Sequence, residues 1–104
     1  MRRGEVWWAD LPKPIGRRPV LILSRDIAVR VRDYITIAEV ATTIRHIAVE
    51  VPLHCEDGLS KECVVNLDAL NTVAKVYLKE KITTLSATKL EAVEKALKFA
   101  LDLD

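Results

Sequence analysis

Gly16-Arg17-Arg18-Pro19-Val20-Leu21-Ile22-Leu23-Ser24 decides how the rest of the chain is read. Val20 to Leu23 is a short, unbroken apolar run. Such a run suits a strand buried on both faces of a sheet, where no solvent side demands alternation. Upstream, Pro12, Pro14 and Pro19 account for three of the four prolines, so the segment before Arg18 reads as a stiffened loop. Before that loop, Gly4 to Leu11 reads as a first strand. Trp7 and Trp8 then point to opposite faces of it. One indole belongs in the core, and the other is free to serve as a stacking platform for a base or as an interface anchor.

Downstream, Asp26 to Asp33 fits either a short helix or a loop. Tyr34 to Arg45 is rich in β-branched residues and reads as a strand. Ile47, Val49, Val51 and Leu53 alternate with His46, Ala48, Glu50 and Pro52, the pattern of a half-buried strand. Asp57-Gly58 signals a turn, Glu62 to Val73 resumes strand character, and Ile82 to Leu85 makes a last short strand. Ser86 is placed to cap a final helix, whose Leu90, Val93, Leu97 and Leu101 share one face, flanked by Ala96 and Ala100. Five or more short strands followed by one C-terminal helix predict an α+β fold, a small curled β-barrel. With 104 residues and no repeat, low-complexity tract or linker, residues 1–104 form one domain.

Half the residues are hydrophobic and 30% are charged, which excludes a disordered chain. No apolar run approaches the roughly 20 residues of a membrane helix. The opening Met1-Arg2-Arg3-Gly4-Glu5 lacks the apolar stretch of a secretory signal, so a cytoplasmic location without membrane contact is expected. Cys55 and Cys63 are too few for a disulfide scaffold, and there is no CxxC pair for zinc. Reduced thiols are expected. The net charge is only +1, yet all eight arginines fall in the first 45 residues and seven of the eight lysines lie from Lys61 onward. Up to Arg32 there are eight basic residues against three acidic ones. An arginine-rich half of a nearly neutral protein fits a basic face, and it also fits a solvated surface with scattered ion pairs.

Two constellations suggest chemistry. Pro19 restricts Arg18 to an extended backbone, so its guanidinium is positioned at the loop end and suited to a phosphate. Ala41-Thr42-Thr43-Ile44-Arg45 closes the Tyr34 strand, where a rigid element aims side chains at an opening. Taken singly, each motif fits an ordinary surface at least as well. His46 and His54 could in principle act as acid and base. On one straight strand they would stand roughly 26 Å apart, too far to share a phosphate.

Order and spacing add to this. Arg3-Gly4-Glu5-Val6-Trp7-Trp8-Ala9-Asp10-Leu11, Arg18-Pro19-Val20-Leu21-Ile22-Leu23-Ser24, Val40-Ala41-Thr42-Thr43 and the helix ending Ala96-Leu97-Lys98-Phe99-Ala100-Leu101-Asp102-Leu103 resemble the MazF/PemK family of toxin endoribonucleases. The likeness spans essentially the whole chain. It implies an SH3-like barrel of the PemK/CcdB kind, a homodimer, and no cofactor or metal. It also implies single-stranded RNA as substrate and a cognate antitoxin with an acidic, disordered tail. The family's catalytic arginine before proline falls on Arg18 and its catalytic threonine on Thr42. Arg17, Arg25, Thr43 and Arg45 would lie along the RNA. The loop before Arg18 is shorter than in many family members. Where the family often carries Glu-Gln-Ile-Arg, this chain has Asp68-Ala69-Leu70-Asn71, so Asp68 and Asn71 become the base readers the resemblance implies, since their donors and acceptors suit base edges. Two alternatives stay open: a CcdB-like poison of DNA gyrase, and an inactive RNA- or protein-binding module of the same fold.

Overall fold

A computed structural model describes residues 1–104. Six strands form one antiparallel sheet: β1 (Glu5–Asp10), β2 (Arg17–Ile22), β3 (Tyr34–Ala41), β4 (Glu50–Leu53), β5 (Cys63–Ala74) and β6 (Leu78–Thr84). Their order across the sheet is β4-β5-β3-β2-β1-β6. The helices are α1 (Asp26–Val31), which resolves the ambiguous stretch after β2, and α2 (Ala87–Ala100). The sheet curls into a half-barrel, with β4 and β6 as its edges.

The curl creates two cores, and β2 explains why. Val20, Leu21 and Ile22 are all fully buried, as the unbroken apolar run predicts. Leu21 joins Val6, Ala38, Val40, Val65 and Leu67 in the core that α2 covers with Val93 and Ala96. Val20 and Ile22 join Ala9, Ile35, Ile37 and Val73 on the other face, where Val29 of α1 and Trp7 pack. The two indoles part as expected, since Trp7 packs on this second core and Trp8 does not. The Ser86 Oγ accepts the Lys89 N–H at 3.1 Å and caps α2.

Three expectations need correction. The strand expected from Tyr34 to Arg45 ends at Ala41. The strand expected from His46 to Leu53 is only Glu50–Leu53, with Glu50 buried and Ile47 exposed. Both differences come from Glu50, whose Oε1 accepts the N–H groups of Arg45 (2.8 Å) and His46 (3.1 Å). This carboxylate takes the place of a ladder partner, and the loop from Thr42 to Val49 folds around it. Conversely, β6 starts at Leu78 rather than Ile82, because Lys79, Glu80 and Lys81 hide its strand character. Charged residues suit an edge strand, where they discourage pairing with other chains.

The gap between the two sheet edges is bridged by the turn after β4. Gly58 has φ +98°, and a Cβ there would lie 2.4 Å from Thr83 Oγ1 on β6. Only glycine allows this approach. Thr83 Oγ1 donates to the Asp57 carbonyl at 3.0 Å, and Lys89 Nζ donates to the Pro52 carbonyl at 2.9 Å.

Glu5 links β1 to β6 and carries a pH prediction. Burial pushes its carboxyl up. Hydrogen bonds from Trp7 Nε1, Lys81 and the Arg2 N–H outweigh this and leave it below the usual glutamate value. A carboxyl held lower in the fold than in the unfolded chain stabilises above its unfolded pKa, and that contribution disappears as pH falls through the folded value. Urea midpoints are therefore expected to fall between pH 6 and pH 3, and to fall less in Glu5→Gln. Equal acid sensitivity of the two proteins would contradict this role.

Candidate active site

One end of the half-barrel opens into a cleft of about 630 Å³. Its walls are the start of β2, the end of β3, the loop after β3, the turn from Gly58 to Cys63, and β5. Arg17, Arg18, Arg45 and Lys61 reach it, against a single carboxylate, Glu39. Arg17, Arg18 and Arg45 each face a carboxylate, on Asp10, Glu39 and Glu50, yet within the lining itself four cations meet one anion, a basic bias that the net charge of +1 conceals.

Arg18 sits where β2 leaves its proline-rich loop, paired with Ala9 of β1. Its Nη1 donates to Glu39 Oε1 at 2.9 Å. Its Nε is buried and has no acceptor in the protein. Arg17 takes the other side of the strand. It donates to Asp10 Oδ1 at 3.1 Å and lies 4.7 Å over the Trp8 ring, which lines the cleft rim. An indole carrying a guanidinium offers flat surfaces on which a nucleobase can stack.

Thr42 and Thr43 line the same cleft from the first two positions past β3. Their backbone is set by two anchors: Ala41 in the β3 ladder opposite Val64, and Glu50 gripping Arg45 and His46. Glu50→Ala would strand two N–H groups and is expected to destabilise the fold by roughly 1.5–3 kcal/mol, the worth of hydrogen bonds to a charged group. Its Arg45 side-chain contact is long, 3.4 Å, and the guanidinium is more than half exposed, so it adds little. Chemical denaturation measures the loss, and an unchanged midpoint would show that Glu50 does not organise this loop.

The other candidates separate. Arg45 lines the cleft. Arg25 does not: it is the N-cap of α1, past the far end of β2 from Arg18. Asp68 and Asn71 are exposed on β5, outside the cleft lining. Asn66 and Ala69 line it instead. A break in the β3–β5 register causes this. Ala38 pairs with Leu70 but Glu39 pairs with Asn66, so Leu67 to Ala69 bulge out of the ladder. The Asn66 carboxamide steadies the bulge by accepting the Asp68 N–H at 2.9 Å.

Neither histidine lines the cleft, and neither lies in β4. His46 has φ +58°, and His54 precedes the turn with Nδ1 3.5 Å from Glu62. No group of three or more His, Cys, Asp or Glu is arranged to hold a metal ion. Cys63 lines the cleft as a free thiol, pushed up first by burial and then by the Asp57 charge. The two residues that the strand patterns concealed are Glu39 and Asn66. Glu39 does leave a trace, as the acid that follows Ile35 and Ile37 on one strand face.

The curled six-stranded half-barrel with its C-terminal helix is the fold of solved MazF toxin structures. Residues 2–101 match the family described as PemK-like, MazF-like toxin of type II toxin–antitoxin systems, and the chain belongs to that family. It is 39% identical over 101 residues to the Mycobacterium tuberculosis protein named "Probable endoribonuclease MazF5", covering 96% of this chain and 92% of that protein. The solved structure of Mycobacterium tuberculosis toxin MazF-mt6 superposes with TM-score 0.89 at 34% identity, covering 96% and 98% of the two chains. A mycobacterial endoribonuclease in complex with its cognate antitoxin also superposes with TM-score 0.89, at 28% identity and 100% and 97% coverage.

Proposed function

We propose that this chain, a toxin endoribonuclease of the MazF family, cuts single-stranded RNA, mRNA included, at short sequence motifs without a metal ion. The observation that carries this reading is Arg18 in one cleft with Thr42, among four cations and a single carboxylate. RNA brings its own nucleophile, the 2′-hydroxyl beside the scissile phosphate. The protein then needs to fix the in-line geometry and stabilise the charge that builds on the phosphoryl oxygens. Arg18 keeps donors beyond the one held by Glu39, and a guanidinium suits two phosphate oxygens at once. The Thr42 hydroxyl adds a hydrogen bond to the same group. Arg17, Arg45 and Lys61 hold the flanking phosphates, Trp8 and Arg17 stack a base, and Thr43 and Asn66 contact base or sugar edges. The products are a 2′,3′-cyclic phosphate and a free 5′-hydroxyl.

The reading includes its setting. The chain works in the cytoplasm as a single toxin domain, paired with a second copy. A cognate antitoxin covers the cleft with an acidic, disordered tail, gaining charge-assisted hydrogen bonds while excluding RNA. Nothing in the cleft favours gyrase inhibition, which requires neither Arg18 nor Thr42.

The test is incubation of the purified chain with a mixed-sequence transcript in EDTA. Discrete fragments whose 5′ ends accept phosphate from polynucleotide kinase without prior dephosphorylation are expected. Cleavage that needs added magnesium, or fragments with 5′-phosphates, would overturn the chemistry. Intact RNA together with inhibited gyrase would replace the reading with the other toxin class.

A further inference from the structure

The 2′-hydroxyl must lose its proton as it attacks, and the cleft holds few groups able to take it. Arg17, Arg18 and Arg45 stay protonated. Lys61 is an ammonium donor, and the hydroxyls of Thr42, Thr43 and Ser60 are weak bases. Burial keeps the Cys63 thiol protonated. Both histidines lie outside the cleft. Glu39 remains, the one carboxylate in the lining.

Its placement suits the task. Glu39 stands on β3 opposite Val20 and Asn66, at the bulge and three residues before Thr42. Its face of the strand is otherwise apolar, with Ile35 and Ile37 buried behind it. A carboxylate in such a place is unfavourable unless it is paired. Oε1 is tethered to Arg18 Nη1 at 2.9 Å, whereas Oε2 accepts no hydrogen bond from the chain and is not sealed off. One planar guanidinium thus holds the carboxylate on one of its donors and offers others to a phosphate. That sets base and phosphorus a few ångströms apart, about the reach a general base needs.

We infer that Glu39 is the general base of the cleavage reaction, a role that rests on the ribonuclease reading. In the step, Glu39 Oε2 takes the 2′-hydroxyl proton. The freed electron pair on the 2′-oxygen forms the new bond to phosphorus. The bond from phosphorus to the 5′-oxygen breaks, and its electron pair stays on that oxygen, which takes a proton from water. Glu39 then returns its own proton to water, so no co-reactant is consumed.

The experiment uses the full chain and a chimeric oligonucleotide with one ribonucleotide at a site cleaved in the transcript. Single-turnover rates at saturating protein are read beside binding of the all-deoxy counterpart, which lacks the nucleophile. Glu39→Gln keeps an acceptor for Arg18 and removes the basicity. It is expected to fold, to bind the deoxy strand at least as tightly as the native protein, and to cut at least about a hundredfold more slowly. A saturated rate within about threefold of native overturns the inference, even if binding has weakened, because Glu39 then only positions Arg18. If Glu39→Gln melts early, Glu39→Asp and Glu39→Ala decide. The aspartate is expected to be faster by at least about tenfold, and equal rates overturn the inference. A native protein that leaves every RNA intact overturns the ribonuclease reading itself, and the inference with it.

Discussion

Arg18→Ala is expected to fold normally and to leave RNA uncut. In the proposed reaction the guanidinium would meet charge that develops on the phosphoryl oxygens only as the 2′-oxygen attacks, so its loss should fall on the chemical step. Losing one preorganised donor of this kind costs on the order of a hundredfold to a thousandfold in rate, and Arg18 supplies several donors. Stability is expected to fall only modestly, although truncation leaves the Glu39 carboxylate without its partner. The side chain is one-third exposed and its ion pair with Glu39 sits at the cleft mouth, where solvent screens it. Truncation also removes the buried Nε donor that has no acceptor in the protein. Arg18→Lys is expected to be poor as well, because an ammonium cannot span two oxygens in a plane. Single-turnover cleavage with circular dichroism as folding control measures both effects. A folded Arg18→Ala protein that cuts at near the native rate would remove the basis of the site.

Thr42→Ala is expected to lose roughly tenfold to a hundredfold in the same assay, one hydrogen bond to a charged transition state being worth about 1.5–3 kcal/mol. Thr42→Ser should keep most of the rate, since the hydroxyl survives and the loop is fixed by Ala41 and Glu50 rather than by the threonine methyl. Equal impairment of the serine and alanine variants would assign Thr42 a packing role. His46→Ala and His54→Ala should both cut at near the native rate, because neither ring reaches the cleft. A dead His46→Ala protein that still folds would move the proton transfer away from Glu39.

Wherever a residue's environment follows from its own neighbours in the chain, the reading of those neighbours matched the fold. The unbroken run Val20 to Leu23 could only be satisfied between two cores, and β2 lies between two. Pro19 fixes the backbone of Arg18, and Arg18 stands at the cleft. Adjacent tryptophans on a strand must part, and Trp7 goes to the core while Trp8 goes to the rim. Ser86 with the spacing of Leu90, Val93 and Leu97 predicted α2, cap included, whereas Leu101, expected on the same face, falls just past the helix end and is exposed.

What depends on contact between distant segments became visible only in the folded chain. Glu50 ends β3 early by taking N–H groups four and five residues before it, while alternation had assigned it to a solvent face. The charges of Lys79, Glu80 and Lys81 hid half of β6, because an edge strand needs no apolar alternation to pair. The β5 bulge brought Asn66 and Ala69 to the cleft in place of Asp68 and Asn71, a shift that strand patterning cannot register. Arg25, expected along the RNA, was carried to the far side by the length of β2. Glu39 became a partner of Arg18 because β3 lies beside β2 in one particular register, bringing together residues 21 positions apart. Local propensity and periodicity report how exposed each element is, whereas the composition of a cleft built from several distant segments is set by their register.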